Sequence, residues 1–285
     1  MTSNLKEIMK DGLVLLAGLS VGLLAGYLTF SSMSPNYSQL SFPQLNPISL
    51  QYSTSRSGFL RRPRILCWVM TAPGNHETRA IHVKQTWGKR CDKLLFMSTE
   101  EDATLPTIKL ETAEGINTLW GKTKLAFKYI FEHHFDDADW FLKADDDTYV
   151  ILENLRSFLD QYDTTKPLYF GCKFKLYIDQ GYMSGGAGYV LSKEAVTRLV
   201  GETSRQENIC DSNLIEHKGW IPEDVMLGKC LEQLKVKAGD SRDEKGRHRF
   251  LVLPPDMQFG PDPMVHWYWE YQYYHHEKVG ANNPK

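Results

Sequence analysis

The sequence lacks several features by which common classes of protein are recognised. Its 33 lysine and arginine side chains stand against 35 acidic ones, for a net charge of -2, whereas a protein that coats nucleic acid carries a basic surplus. Its five cysteines include no CxxC pair, which argues against a zinc site. No repeat of fixed period runs along the chain, so a solenoid or a propeller is not expected. No nucleic-acid partner is therefore predicted.

The composition that remains is that of a globular chain. Its 285 residues are 42% hydrophobic and 24% charged. Both values lie near the average for folded domains and far from those of disordered chains. A chain of this length buries a substantial core in one or two domains.

One long uncharged run lies near the N-terminus, at residues 13–30. A membrane span needs about 20 apolar residues, with a lower limit near 17. A cleaved signal peptide is the alternative, although its apolar core usually has about 7–15 residues. We expect a single membrane anchor with residues 1–12 as a cytosolic tail. Because nearly all of the foldable chain follows the span, the large C-terminal part is expected to be exported, as in a type II membrane protein.

A stem and an exported domain are predicted to follow the anchor. Residues 31–62 are rich in Ser, Pro, Gln and Asn and have no helical or strand period, which is typical of a flexible linker. Asn36 begins an N-glycosylation acceptor triplet in this stem. Residues 63–285 then form the predicted domain.

The cysteines suit an oxidising compartment once export is expected. Cys67 and Cys91 flank one α/β unit, and Cys210 and Cys230 flank another segment. Two bridges would leave Cys172 over, and the pairing is not fixed by the sequence.

From residue 64 onward, short apolar runs alternate with segments of helical period. Strands are predicted at Ile65–Met70, 94–97 and 140–142, and helices at 77–87, at 118–134 and through Ile151, Leu152, Leu155 and Phe158. This alternation predicts an α/β fold with a mostly parallel sheet covered by helices. In such folds ligands bind at the carboxyl ends of the strands.

That rule directs attention to Asp145, Asp146 and Asp147, which follow the 140–142 strand. Three successive carboxylates are costly to bury unless they are solvated or paired with a cation. With no neighbouring His or Cys, they favour a hard divalent ion such as Mg²⁺ or Mn²⁺. The alternative is an acidic turn in which an aspartate caps the following helix.

Six stretches in order carry a resemblance to a known family. They are residues 67–98, 138–159, YFGCKFK, GYMSGGAGYVLSKEA, EDVMLGKCLE and AGDSRD. Together they resemble the core 1 β-1,3-galactosyltransferases, which add galactose from UDP-galactose to O-linked N-acetylgalactosamine (GalNAc) on glycoproteins. The resemblance runs from about residue 64 to about residue 274. It also implies the family's GT-A nucleotide-sugar fold and its anchored, lumenal, Golgi-type layout.

The resemblance implies a metal-dependent donor site. The family's DxD element falls on Asp145 and Asp147, which are expected to hold Mn²⁺ against the UDP pyrophosphate. The expected contacts with the nucleotide sugar are Met70, Thr71, Asn75, Glu114, Gly115, Lys122 and Asp146. For several of these positions an ordinary strand end, turn or helix start remains the alternative.

The resemblance also implies an inverting transfer with a general base. The family's base falls on Asp224, in the first turn of a helix that begins near Pro222, where the helix dipole favours an ionised carboxylate. The expected contacts with the GalNAc-bearing acceptor are Tyr182, Gly185, Glu223, Trp267 and Trp269. The alternatives are that the two acidic residues only favour the helix start, that the glycines form a tight turn, and that the aromatic residues form a core strand.

Two departures from the family pattern leave a second function open. Family members continue past the aromatic segment to a later histidine that completes the metal site, and the chain ends at Lys285 without an equivalent. Ile116 stands where close relatives carry a basic residue beside the donor diphosphate. An inactive homologue that binds an active enzyme, as a partner or chaperone, is therefore the alternative, and a homodimer is a further possible assembly.

Overall fold

A computed structural model describes residues 62–205, 210, 222–259 and 266–274. The chain divides into two units, Met1–Phe59 and Leu60–Lys285, and every described residue belongs to the second. The predicted tail and anchor and nearly all of the predicted stem lie outside these residues and stay predictions. Within the described ranges, no helix is long and apolar enough to cross a membrane.

The strands of the described residues are short, and most are buried. They are β1 (Ile65–Met70), β2 (Lys93–Ser98), β3 (Thr107–Lys109), β4 (Trp140–Asp145), β5 (Leu168–Gly171), β6 (Lys173–Phe174), β7 (Tyr182–Met183), β8 (Tyr189–Ser192) and β9 (Lys237–Ala238). The six residues of β1 are all buried, as expected for a central strand with helices on both faces.

In the described residues, five α-helices lie between these strands along the chain and two follow β9. They are α1 (Ile81–Gln85), α2 (Leu119–His133), α3 (Leu152–Leu159), α4 (Lys193–Arg205), α5 (Glu223–Gln233), α6 (Pro255–Phe259) and α7 (His266–Tyr271). A π-helical turn, His76–Ala80, leads directly into α1. The predicted helix at 77–87 therefore exists, but its first part has a wider turn than an α-helix.

The central sheet has seven strands in the order β3-β2-β1-β4-β8-β5-β9. β1 runs parallel to β2 and β4, and the pairs β2–β3 and β5–β9 are also parallel. β8 runs antiparallel to its neighbours β4 and β5. The predicted mostly parallel α/β sheet is confirmed, with one reversed strand in it.

The two faces of the sheet bury two apolar clusters. Leu66, Trp68 and Met70 pack with side chains of α2, α4 and α5. Ile65, Cys67 and Val69 pack on the other face with side chains of α1 and α3. Successive side chains of β1 thus point to opposite faces of the sheet, and each face is covered by helices. The domain therefore has three layers, with the sheet between two layers of helices.

A third apolar cluster lies outside the central sheet. The hairpin β6–β7 contributes Phe174 and Tyr182, α5 contributes Val225, and α7 contributes Tyr268. Phe174 also forms a bridge with Gln272. This cluster attaches the C-terminal aromatic segment to the start of α5.

Two sequence-based expectations are wrong in detail. The aromatic residues from Trp267 to Tyr271 belong to a helix, where the spacing of aromatic side chains had suggested a core strand. Only Tyr268 among them is fully buried, so one side chain secures the helix. Ile151 was expected within α3, but it precedes the helix and is 53% exposed.

Two disulfides join the cysteines, Cys67 to Cys91 and Cys210 to Cys230. Cys172 is free and buried. The first bridge connects β1 to the segment just before β2, and the second joins Cys210 to α5. Paired cysteines agree with the oxidising compartment expected from the sequence.

Candidate functional site

The candidate site lies where β1 and β4 end. The register pairs Met70 with Asp145, so the residues that follow these two positions meet beyond the sheet. There the Thr71 hydroxyl donates to Asp146 Oδ2 at 2.7 Å and the Asn75 amide donates to the same oxygen at 3.0 Å. The buried middle aspartate therefore fastens the acidic loop to the end of β1.

Asp145 is paired with a lysine inside the fold. Lys143 Nζ lies 2.7 Å from Asp145 Oδ1, because residues two apart in a strand point to the same face. Burial acts to lower the pKa of Lys143, but the neighbouring carboxylates, Asp145 first, outweigh it and raise the pKa above its usual value. A charged ammonium group therefore stands behind the acidic loop.

Asp147 has a different partner. Arg79, on the π-helical turn, donates from one terminal nitrogen to Asp147 Oδ2 at 2.9 Å and lies 3.5 Å from Asp146 Oδ1. The side chain of Asp147 is 63% exposed and that of Arg79 is 50% exposed. This pair is open to solvent, in contrast to Lys143 and Asp145.

The acidic loop is not a helix cap. The residue that precedes α3 is Ile151, and no side chain caps the helix with a hydrogen bond. The loop is held instead by its next residue, since Trp87 Nε1 donates to the Thr148 carbonyl at 3.0 Å and the Thr148 hydroxyl donates to the Gly186 carbonyl at 3.3 Å. The capping alternative is therefore wrong.

A second group of predicted donor contacts converges on Thr71. Lys122 Nζ donates to the Thr71 carbonyl at 2.6 Å and to Glu114 Oε1 at 2.7 Å. Gly115 has a φ of 133°, a conformation that favours glycine, and it precedes α2 by a short 3₁₀ turn. Met70 is buried in the core beneath. The structure thus brings Thr71, Glu114 and Lys122 together.

Asp224 approaches the site from the start of α5. Its Oδ2 accepts a hydrogen bond from the Gly185 N–H at 2.8 Å, and its Oδ1 accepts one from the Val225 N–H at 2.8 Å. Burial raises the pKa of Asp224, while these backbone donors and the charge of Lys143 oppose the rise. The carboxylate is held in one orientation by the backbone.

Glu223, its neighbour, is bound to the core. Its Oε1 accepts hydrogen bonds from the Tyr189 hydroxyl at 2.6 Å and from the Thr123 hydroxyl at 2.8 Å. Burial raises the pKa of Glu223, and the charge of Lys143 partly offsets this. The two adjacent carboxylates therefore have different surroundings.

Gly185 lies between Lys143, which pairs with the acidic loop, and the two carboxylates at the start of α5. A methyl group on Gly185 would lie 3.5 Å from both Lys143 Nζ and Glu223 Oε2, and 3.6 Å from Asp224 Cβ. Lys143 Nζ also lies 3.4 Å from the Gly185 carbonyl oxygen, to which it donates. Lys143 is thus the cation that connects the acidic loop with the two carboxylates of α5.

The predicted acceptor residues differ in their burial and in their neighbours. Tyr182 is buried with its ring edge-on to Phe174, and burial, followed by the negative charge of Asp224, raises the pKa of its hydroxyl. Trp267 is 43% exposed and lies edge-on to Phe174. Trp269 is 44% exposed and contacts the ring of Tyr268, farther along the same helix.

Sequence reasoning missed three side chains of the site. Lys143 could have been found, because it stands two residues before Asp145 in the same strand. Tyr189 and Arg79 could not, because their contacts depend on the antiparallel placement of β8 and on the π-helical turn. The roles predicted for the other site residues stay predictions.

The described residues contain no group of three or more His, Cys, Asp or Glu side chains placed to hold a metal ion. What they do contain is a pair of aspartates, Asp145 and Asp147, whose carboxylates each bind a cationic side chain. The histidines that follow the aromatic segment, His275 and His276, lie outside the described part of the chain.

Comparison with known proteins gives a consistent family. The Fringe-like family matches residues 60–243. The chain is 43% identical over 241 residues to glycoprotein-N-acetylgalactosamine 3-beta-galactosyltransferase 1 of Xenopus laevis, which covers 83% of this chain and 62% of the relative. It is 28% identical over 180 residues to a beta-1,3-glucosyltransferase of Mus musculus, covering 62% of this chain and 35% of the relative.

The chain thus spans less than two thirds of the length of these relatives. Among solved structures, a glycosyltransferase involved in glycosylation of the major capsid of PBCV-1 is similar with a TM-score of 0.36 and 21% identity. That similarity covers 53% of this chain and 70% of the other.

Proposed function

The chain belongs to the Fringe-like family, and from this premise we propose that it transfers galactose from UDP-galactose to O-linked GalNAc of glycoproteins in β-1,3 linkage. One observation carries the proposal: Lys143 pairs with Asp145 and donates to the Gly185 carbonyl, and the Gly185 N–H donates to Asp224, so the acidic loop and the candidate base lie close together. The similarity to the Xenopus laevis galactosyltransferase supports this choice of donor and acceptor.

We place the domain in the GT-A class of nucleotide-sugar folds. The support is positional, since Thr71 and Asp146 follow the parallel strands β1 and β4 and bond to each other at 2.7 Å. The carboxyl ends of parallel strands are where α/β folds bind nucleotides. Glu114, Gly115 and Lys122 border the same strand end.

The acidic loop fits a divalent ion such as Mn²⁺. Asp145 and Asp147 offer hard oxygen ligands, and both carboxylates already hold cationic partners. Divalent ions at nucleotide sites are often bound by one or two carboxylates together with substrate phosphates. When bound, such an ion neutralises the negative charge that develops on the departing UDP.

The chain's own residues position the donor. Asp146 keeps the loop against β1 through Thr71 and Asn75. Lys122 is buried and bonded to the Thr71 carbonyl and to Glu114. It therefore holds the segment before α2 against the end of β1. The donor site is thus held by hydrogen bonds before any ligand arrives, which reduces the ordering cost of binding.

Asp224 is the group that takes the acceptor's proton. As the acceptor hydroxyl attacks the anomeric carbon, the bond from that carbon to UDP breaks and the hydroxyl proton passes to Asp224. This is a single displacement with inversion. Each carboxylate oxygen of Asp224 accepts one backbone hydrogen bond and so keeps a further lone pair that can accept the proton.

The aromatic residues around the third apolar cluster, which includes Val225 next to Asp224, suit a sugar acceptor. Trp267 lies 5.9 Å from Tyr271, ring to ring, and both rings lie edge-on to Phe174 of that cluster. Apolar ring faces close to a base are suited to stack on a hexose. We assign this wall, with Tyr182 and Gly185, to the acceptor, and leave Trp269 at its outer end.

The expected setting of the activity is the Golgi lumen, behind a single N-terminal anchor. The two disulfides support an oxidising compartment. The alternative function is that of a partner or chaperone of an active enzyme, which would fold and bind but transfer nothing.

Incubation with radiolabelled UDP-galactose, a GalNAc-serine acceptor and Mn²⁺ tests the proposal. The protein with both disulfides intact is expected to incorporate label, and omission of the acceptor is the control. Correctly folded protein that incorporates none would favour the binding-partner function.

A further inference from the structure

Among the described residues, Arg79 is a cationic side chain that pairs with the acidic loop and is open to solvent. It lies on the π-helical turn His76–Ala80, and such turns occur frequently at functional sites. The buried His76 of the same turn holds it in place, with Nε2 at 2.7 Å from the Ser98 hydroxyl and Nδ1 at 3.3 Å from Asp102 Oδ2. The turn is fixed while the Arg79 side chain is half-exposed.

The two cations of the loop differ in their freedom to move. Lys143 is buried and surrounded by carboxylates and the Gly185 carbonyl, so moving it would leave a buried charge unpaired. Arg79 binds Asp147 at the surface, where an ion pair contributes little to stability. A competing cation would therefore displace Arg79 and not Lys143.

A divalent ion on Asp147 would be such a competitor. The Asp147 oxygen that accepts from Arg79 at 2.9 Å is one that a metal ion would need, and two cations so close repel each other. The displaced guanidinium would stay within reach of the loop, because its backbone is held by the π-helical turn. The anion that binds with the metal is the diphosphate of the nucleotide sugar. Its oxygens can accept paired hydrogen bonds from the planar guanidinium group of an arginine.

We propose that Arg79 occupies the metal position of Asp147 until the ion binds, and that it then binds the diphosphate of the nucleotide sugar. This inference rests on the proposed function, because it presupposes that Asp147 is a metal ligand. It assigns Arg79 two opposite effects on ligand binding. Removing its charge strengthens metal binding and weakens nucleotide binding.

The test uses Arg79→Gln in the full chain with both disulfides intact. Mn²⁺ binding without nucleotide is measured by the loss of the free-ion electron paramagnetic resonance signal. UDP binding at saturating Mn²⁺ is measured by calorimetry. We expect the Kd for Mn²⁺ to fall about three- to tenfold, and the Kd for UDP to rise at least about tenfold.

Three further variants serve as controls for Arg79→Gln. Arg90→Gln removes the same charge from an arginine of nearly equal exposure, 51%, that pairs with Glu153, and it is expected to leave both constants unchanged. Arg79→Lys keeps the charge and should leave Mn²⁺ affinity near that of the wild type. An Asp145→Asn/Asp147→Asn double variant gives the background for a chain without the metal site.

The outcomes separate the inference from the proposed function. If Arg79→Gln binds Mn²⁺ no more tightly than Arg90→Gln, or binds UDP as tightly as the wild type, the role of Arg79 is overturned while the metal site stands. If the wild-type protein binds no more Mn²⁺ than the double variant, the metal site itself is wrong, and Arg79 is then a permanent partner of Asp147.

Discussion

The backbone N–H of Gly185 donates a hydrogen bond of 2.8 Å to Asp224 Oδ2. It connects the turn after β7 to the first turn of α5, two segments 39 residues apart in sequence. Because the donor is backbone, it cannot rotate away, and the carboxylate keeps its orientation beside Lys143. A general base needs this kind of fixed placement more than it needs a particular helix position.

The first prediction concerns the turnover of an Asp224→Asn variant. The amide keeps the shape of the side chain but cannot accept the acceptor's proton, so kcat should fall about 10²–10⁴-fold. UDP binding should survive, since the proposed donor contacts lie around the end of β1 and in the acidic loop and do not include Asp224. Initial rates and calorimetric UDP titration check both parts.

Glu223→Gln is the matched control for that variant. Its side chain leaves the helix about 100° away from that of Asp224, and its oxygen can still accept from Tyr189 and Thr123. We expect it to keep most of its turnover. A loss confined to Glu223→Gln would show that the other carboxylate is the base.

The second prediction is a pH dependence of activity. Burial raises the pKa of Asp224 above that of an exposed aspartate, and only the deprotonated form accepts a proton. As the pH falls through this raised pKa, kcat/KM should decline, so the acid limb should lie above about 3.9, the ordinary value for aspartate. UDP affinity measured over the same range identifies any part of the decline that arises from donor binding. An acid limb at or below the ordinary value would contradict the assignment.

The third prediction concerns stability. Because burial raises the folded-state pKa of Glu223 above its unfolded value, its contribution to stability is fully present below the unfolded pKa and is lost as the pH rises through the folded one. Glu223→Gln cannot ionise, so it should gain stability relative to the wild type as the pH rises above about 4.3, the ordinary value for glutamate. Thermal unfolding at several pH values measures this difference. Glu101→Gln, at an exposed position, should show no such trend, and an equal trend in both variants would refute the explanation.

The fourth prediction concerns the acidic loop. Asp147→Ala and Asp145→Asn should each weaken Mn²⁺-dependent UDP binding by more than about 100-fold, because even outer-shell partners of a metal site typically contribute about 10–100-fold. Asparagine is chosen at Asp145 because its amide oxygen can still accept a hydrogen bond from the buried Lys143, whereas alanine would leave no acceptor at that position. Asp136→Ala, whose side chain is 93% exposed and pairs with Lys193, is the control. Retained metal-dependent UDP affinity in the two loop variants would place the metal elsewhere.

The strands and helices around the site could be predicted from the sequence because their periods are strong. β1 is a continuous apolar run, and α2 buries Phe127 and Ile130 on one face. The direction of β8 could not be predicted, since a short buried strand has the same residue pattern whether it runs parallel or antiparallel. That reversal aligns Tyr189 with Lys143 and so gives Glu223 one of its hydrogen bonds.

The secondary structure of the C-terminal aromatic segment could not be predicted, for a different reason. Alternation of Trp267, Trp269 and Tyr271 suggested a strand, yet the fully buried positions are Tyr268 and Gln272, four residues apart as on one helix face. Arg79 was missed because a π-helical turn has no distinct sequence period. The acidic loop, by contrast, could be found from charge alone, because three adjacent carboxylates at a strand end need a cation.

The central claim is that this domain transfers galactose with inversion, and the configuration of the product tests it most directly. Proton nuclear magnetic resonance can follow the protein with UDP-galactose, in which the sugar is α-linked, GalNAc-serine and Mn²⁺ as the new linkage forms. The account predicts a single β-galactosyl product on the 3-hydroxyl of GalNAc. An α-linked product, or release of free galactose with no acceptor product, would contradict it.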